Sequence, residues 1–474
     1  MIIVLLLLLP LFASLLLFSD KLGRRSRMFA FVTSLIVLVI SFVGAYFYVS
    51  TGQKALVLDI HALHLLDLNI SMKMDGISLI LVLLTTILVP IIIASPERSD
   101  KKVSSFYALV MLMETALLGV FLASDIILFY IFWELALVPI FFITAFWGGE
   151  NANKISLKFL IYTVVGSFAM LVAILYLYTL TPIPHSFDFN TFLTLSLPYA
   201  IQVPVFLAFF LAFAIKIPLF PFHSWQAETY NVSPVQGSML LAGVMLKMGL
   251  YGLIRFILPL CPDVVAGGSL FFLPLIVFGV IYGAFIAISQ PRLKKLIAFA
   301  SLSHVGIIAL GILSNNQYGL QGSIIQMFTH GINVVGFFLC YLVIRRRTHT
   351  DIIANLGGIA SVAPKFASVF LIIVLANVSL PLTNSFVGEF MILLGLFQFN
   401  PLLAIITGTT IILGAVYMLK MYQKIMYGPT NELTSQFKDL TTKEMILFTP
   451  IIVLIFLIGI YPTIILQFLD QVKL

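Results

Sequence analysis

Residues 201–230 read IQVPVFLAFFLAFAIKIPLFPFHSWQAETY, an apolar run with one lysine, Lys216, set into its middle. The run is too long for a single bilayer crossing, and Pro218 and Pro221 interrupt it just past the lysine. Proline removes a backbone donor and frees the carbonyl four residues back, here that of Ala214. At membrane depth, non-helical backbone is tolerated only against protein or a wet cavity. A lysine beside such a break therefore belongs to a buried polar site rather than to a lipid-facing surface. The whole chain has this character: of its 474 residues 61 % are hydrophobic and only 9 % charged. Soluble domains carry about a quarter charged residues, so a water-soluble enzyme is excluded, and so is a disordered chain. The apolar runs are continuous over about twenty residues, the length of a helical span. Outer-membrane strands alternate over about ten residues instead. The chain reads as an all-α polytopic membrane protein.

Runs bounded by charge, Gly, Pro or Asn give fourteen helices: 2–19, 28–49, 76–95, 104–122, 125–147, 158–181, 201–230, 233–257, 269–289, 294–313, 319–345, 366–398, 401–426 and 444–468. Lys and Arg concentrate in cytoplasmic loops. Twenty of the 26 basic residues fall in the odd-numbered loops, among them Lys21, Arg98, Lys101, Lys154, Arg292 and Arg345. Only Lys54, Lys73, Arg255 and Lys473 fall on the other side. One miscounted helix would scramble this alternation, so the split supports fourteen spans with both termini outside. The N-terminal run lacks a basic leader and a small-residue cleavage site and reads as a retained first helix.

Charge inside a span costs at least about 2.5–3.5 kcal/mol on insertion scales. Seven spans carry an ionisable residue: Glu114 (MLMETALLG), Glu134 (FYIFWELALVPIFF), Lys216, Lys247 (LLAGVMLKMGLYG), His304 (ASLSHVGII), His330 (MFTHGINVV) and Glu389 (SLPLTNSFVGEFMILL). Taken singly, each fits a structural ion pair or a packed histidine, and Glu114 fits a mere partner for a lysine. As a set they fit a proton path, because intramembrane ionisable chains mark such paths. Burial lowers the proton affinity of a lysine and a nearby carboxylate restores it, while histidine relays near neutral pH. No cluster of carboxylates resembles a hard-cation cage, which favours protons over sodium.

The 366–398 run repeats the interruption: Leu380-Pro381-Leu382 echoes Ile217-Pro218-Leu219. Eight residues beyond Pro381 stands Glu389, where the first run has Gln226. The two breaks lie five spans apart on helices of opposite direction. Spans four to eight (104–257) and nine to thirteen (258–426) thus read as inverted repeats with broken helices, the arrangement that marks a transport site. They are flanked by an N-terminal segment (1–103) and a C-terminal helix (427–474). Asp75 reads as an N-cap. His223 fits either proton uptake or a loop hydrogen bond. Lys294 and Lys295 read as snorkelling cations, though either could begin a path. Two cysteines, Cys261 and Cys340, are too few for an iron–sulfur cluster, and no phosphate-binding glycine loop occurs. The basic residues lie at helix ends, which excludes a nucleic-acid footprint.

FWELALVPIFF (132–142), KIPLFPFHSWQAETYNVSPVQGSMLLAGVMLKMGLYGLIRF (216–256) and PRLKKLIAFASLSHVG (291–306) resemble the antiporter-like membrane chains of respiratory NADH:quinone oxidoreductase (complex I). The resemblance spans nearly the whole chain. Within that family it points to the M type (mitochondrial chain 4), which typically has glutamate where Glu389 stands; the L and N types usually have lysine. The resemblance implies a Glu134–Lys216 pair, a central Lys247, a His304–His330 relay and an exit at Glu389. It implies no cofactor in this chain, with flavin, iron–sulfur clusters and quinone in partner subunits, and L- and N-type chains as neighbours; the short loops and retained first helix fit a bacterial cytoplasmic membrane. Two related roles remain alongside it: the D-type chain of a multisubunit cation/proton antiporter, and a membrane chain of an energy-converting hydrogenase-type complex.

Overall fold

The computed structural model describes residues 1–51, 56–63, 68–95 and 102–469. Of the cations counted above, Lys54, Arg98, Lys101 and Lys473 lie outside the described residues. The chain is a mostly helical polytopic membrane protein. Among the described residues, twelve helices are long and apolar enough to cross a bilayer. Three shorter apolar helices accompany them, Ile2–Phe18, Pro364–Asn377 and Asn384–Phe399.

Both long runs are broken where the prolines require it. The first divides into Tyr199–Lys216 and Ser224–Val232, the second into Pro364–Asn377 and Asn384–Phe399. In the second break Ser379 and Leu382 adopt φ of 59° and 74°. Such left-handed conformations cost non-glycine residues about 1–3 kcal/mol and persist only where the surroundings enforce them. A third interruption was not anticipated. The 125–147 run divides at Ala136 into Ile126–Leu135 and Leu137–Trp147, because Pro139 cannot donate to Leu135. The 158–181 helix starts earlier, at Ala152, so Lys154 and Lys158 lie in its first turns rather than in a loop. The ninth span also starts earlier, at Pro262, and the last ends at Ile460, before a separate turn Thr463–Leu466.

The segment between the second and third helices, read as a plain loop, forms an antiparallel hairpin of β1 (Leu56–Leu63) and β2 (Leu68–Met74). Leu56 pairs with Met74 and Ile60 with Ile70. β2 leads straight into Asp75, which accepts a hydrogen bond from Ser78 N at 3.1 Å and caps the helix Gly76–Ala94. The N-cap reading of Asp75 agrees with this geometry.

The chain forms two compact units. The first comprises Met1–Pro218 and Val232–Leu270, with Phe468 and Leu469; the second comprises Leu219–Asn231 and Phe271–Gln467. The piece after the first break joins the second unit because Phe220 packs on Phe278 and Tyr282, and Tyr230 on Phe338. In the first unit Gly76–Ala94, Val103–Leu122 and Val235–Leu260 are almost wholly buried, whereas Ser26–Thr51 and Ala152–Leu180 expose one apolar side. In the second unit Leu293–Leu313 and Gln317–Thr348 are the buried pair. Ionisable residues within spans face the interior of the bundle rather than lipid, and Glu114, Lys247, His304 and His330 all sit on these enclosed helices.

Candidate functional site

In the first unit Glu134 lies in the last turn before the Ala136 interruption. Its Oε1 is buried without a hydrogen-bond partner. Lys216 is the last residue of its helix and is 1 % exposed. Its Nζ likewise has no hydrogen-bond partner. It stands 5.0 Å from the centre of the Trp133 ring, a cation–π contact. Glu134 is its charged neighbour, acting across space rather than through a hydrogen bond. The lysine is thus held by a ring face and a field, and both can change without breaking a bond.

Lys247 sits in a short α-helical stretch, Leu246–Gly252, between two π-helical turns, Leu241–Met245 and Leu253–Ile257. π-turns recur at functional sites because they displace carbonyls from the regular ladder. Here Lys247 Nζ donates to Ala242 O at 2.6 Å. Gly249 and Gly252 bring this helix against Tyr199–Lys216. A Cβ at Gly249 would lie 2.6 Å from Ile217, and one at Gly252 would lie 2.5 Å from the Phe213 ring. Glu114 is fully buried, and neither carboxylate oxygen has a hydrogen-bond partner. Among the described residues no lysine is paired with it, so a simple ion pair does not account for it.

The second unit is organised differently. His304 Nδ1 and Glu389 Oε1 lie 2.9 Å apart. Gln326 Nε2 donates to the same oxygen at 3.1 Å, and Thr329 Oγ1 donates to Gln326 Oε1 at 3.0 Å. Ser301 Oγ and His330 Nε2 are 3.1 Å apart, and the two histidine rings are 6.1 Å apart. Asn333 ties the broken helix in place, donating to Asn384 Oδ1 and Ser385 Oγ at 3.0 and 2.8 Å. His223 is half-buried between Phe220 and Tyr282, with Nδ1 lacking a partner.

Of the two cations expected to snorkel, Lys294 does not. It is buried, donates to Asn231 O at 3.4 Å and lies over the Tyr341 ring. Lys295 is half-buried. The aromatic and carbonyl surroundings of Lys294 replace the headgroup contacts a snorkelling lysine makes. Sequence reasoning missed Gln326, Thr329, Ser301, Asn333 and Trp133, none of them charged. Gln326, His330 and Asn333 recur at helical spacing on Gln317–Thr348, and that polar stripe is the signal that could have found two of them.

Buried lysines, carboxylates and histidines on enclosed and broken helices define a polytopic membrane protein of the ion-translocating kind. The family described as NADH:quinone oxidoreductase/Mrp antiporter, transmembrane, matches residues 123–414, and the chain belongs to it. NADH-quinone oxidoreductase subunit M of Rickettsia typhi is 37 % identical over 406 residues, 85 % of this chain and 82 % of the relative. NADH-ubiquinone oxidoreductase chain 4 of Marchantia polymorpha is 36 % identical over 468 residues, 98 % of this chain and 94 % of the relative. A chain in the structure of respiratory complex I from Thermus thermophilus with bound NADH superposes with a TM-score of 0.91 at 30 % identity, covering 99 % of this chain and 97 % of that one. A chain of the membrane-bound sulfane sulfur reductase, an archaeal respiratory complex, shares the fold, with a TM-score of 0.87 at 20 % identity.

Proposed function

We propose that this chain is the M-type, proton-translocating membrane subunit of a respiratory NADH:quinone oxidoreductase. The observation that carries the reading is Lys216, enclosed on a ring face without a hydrogen bond and answerable to Glu134. Fourteen crossings follow if Ile2–Phe18 spans and the two halves Pro364–Asn377 and Asn384–Phe399 act as one broken span. Spans four to eight and nine to thirteen then form two inverted repeats. Both termini face the outside of a bacterial cytoplasmic membrane.

Redox chemistry in partner subunits, which hold flavin, iron–sulfur clusters and quinone, shifts Glu134 relative to Lys216. Separation lowers the proton affinity of the lysine, because the carboxylate no longer offsets its burial. The proton passes to Lys247. His304 and His330 carry a proton in the second set to Glu389, which releases it outward. Glu114, His223 and Lys294 are auxiliary groups on this path, with Lys295 behind them. L- and N-type chains are its neighbours. Glutamate at 389, rather than lysine, favours this role over that of a secondary antiporter.

Gentle isolation of the tagged chain from native membranes tests the assignment. The expected preparation oxidises NADH with a quinone and carries flavin and iron–sulfur signals. A preparation of small membrane chains without redox centres, catalysing sodium–proton exchange, would overturn it.

A further inference from the structure

The first unit contains a cavity of about 150 Å³, walled in part by Phe189, Leu193 and Phe256, that plays no part in the path described above. At about 30 Å³ per molecule it has room for about five waters. Lys73, Asp75, Ser78, Asp125, Tyr251 and Arg255 line it. These residues come from the ends of separate elements. Lys73 is on β2 and Asp75 caps Gly76–Ala94. Asp125 caps Ile126–Leu135, and Arg255 is in the last turns of the Lys247 helix. All of them lie at the ends assigned to the outside by the loop charges.

One wall connects the cavity to Lys247. Tyr251 lies on the same α-helical stretch, Leu246–Gly252, one turn further out. Four residues of helix rise about 6 Å and share a face. The Tyr251 hydroxyl donates to Phe121 O at 3.1 Å and lies 3.2 Å from Ser78 Oγ. Arg255 stands over the Tyr251 ring at 5.1 Å, donates to Ser78 Oγ at 3.2 Å and is ion-paired with Asp75. That ion pair holds the Asp75 carboxyl below the usual carboxylate range: burial raises it, and Arg255 more than offsets the rise. Arginine stays charged, so Asp75 and Arg255 form a fixed neutral floor around the tyrosine.

Asp125 is the group that can change state. Its carboxyl is pushed up to about 6, chiefly by burial and further by the charge of Asp188, against the N–H groups of Leu128 and Ile127 that it accepts. The other charged or titratable groups around it are Lys73, Asp75, Tyr251 and Arg255. At pH 7 it is mostly ionised and one small step from protonation.

We propose that this cavity is an outward-facing water port, through which the first unit passes protons from Lys247 to the outside with Asp125 as the last acceptor. The proposal rests on the proton-translocating reading of the chain. In the transfer an N–H bond of the Lys247 ammonium breaks. The Tyr251 hydroxyl takes that proton as it gives up its own, cavity water delivers the latter, and Asp125 becomes a carboxylic acid. Lys247 is left neutral, and loss of the proton to outside water restores the carboxylate. The route needs no residue of the second unit.

The test uses the whole complex in sealed vesicles. Ala123, a half-buried lining residue of the cavity, is replaced by cysteine, and a membrane-impermeant cationic thiol reagent is added from either side. Modification of residue 123 is read by the mass of this chain. The expected result is modification from the outside only, accompanied by a loss of pumping as deep as that of Lys216→Met. No modification from either side, or modification with unchanged pumping, overturns the port. Asp125→Asn supplies a second readout, since asparagine retains the helix cap. In the parent, pumping should fall as outside pH drops through about 6, where Asp125 stays protonated. In Asp125→Asn that fall should vanish and pumping should be low throughout; a parental pH profile contradicts the proposal. Tyr251→Phe keeps the ring packing and should match Asp125→Asn in depth of loss. If Lys216→Met pumps normally the proton-translocating reading fails, whereas labelling at residue 123 still reports whether the port opens outward.

Discussion

The two units hold their ionisable residues in opposite ways. In the first, Lys216 is enclosed, neither its Nζ nor Glu134 Oε1 has a hydrogen-bond partner, and the carboxylate acts on the lysine across space. In the second, Glu389 Oε1 is fixed by both His304 and Gln326, and Gln326 is fixed in turn by Thr329. A group that switches must have its charge stabilised weakly, so that a small displacement changes its state. A group that relays must have partners already in place, because an oriented network transfers protons without rearrangement. On the proposed reading the first unit holds the switch and the second the conduit.

The comparison can be broken most sharply at Lys247. Lys247→Arg keeps the positive charge but cannot release a proton at any accessible pH. It should abolish this chain's share of pumping, measured as protons moved per NADH oxidised; retained pumping would mean the lysine is only a fixed charge. The conduit is next. A Cβ at Gly388 would lie 2.5 Å from Gln326 Oε1 and 3.0 Å from its backbone N. Gly388→Ala should therefore push Gln317–Thr348 away from Asn384–Phe399, at about 1–3 kcal/mol. A lower melting temperature of the assembled complex, together with impaired pumping, checks this.

A milder variant sharpens the same contrast. Gln326→Leu removes one of two donors to Glu389 and leaves His304 in place. Loss of one such bond to a charged group is worth about 1.5–3 kcal/mol, so pumping should fall partially and the carboxyl stretch of Glu389 should shift in infrared difference spectra. A pumping loss as complete as that of Lys247→Arg would show that the conduit is no more tolerant than the switch. The smallest effect belongs to a polar cluster outside both. Arg347 Nη2 donates to Glu444 Oε2 at 2.8 Å, and Glu444 completes a capping box with Thr441. Glu444→Gln retains the box geometry and should leave pumping unchanged, at about 1.5–3 kcal/mol of stability because both side chains of the pair are only 14 % exposed.

Much of this was legible in the sequence because charge in an apolar run has few explanations. Glu134, Lys216, Lys247, His304, His330 and Glu389 stand out for that reason, and Pro218 and Pro381 announce the two breaks. The rest was hidden for specific reasons. Gln326, Thr329 and Asn333 are neutral and common in helices, so only their shared face betrays them. The π-turn Leu241–Met245 has no proline to mark it, whereas Pro259 follows the second, Leu253–Ile257. The hairpin at 56–74 escaped a reading tuned to twenty-residue apolar windows, although NISMK alternates as a strand does. Lys294 looked like its neighbour Lys295, and only packing against Tyr341 and Asn231 separates them. Arg255 counted as one loop cation among few; its pairing with Asp75 crosses 180 positions of sequence.

The central claim is that Lys216 drives translocation by changing its proton affinity under the influence of Glu134. The most direct test replaces Lys216 with methionine in the intact complex and measures protons moved per electron in sealed vesicles, alongside quinone reduction. The account predicts a reduced ratio with electron transfer still measurable. An unchanged ratio would contradict it.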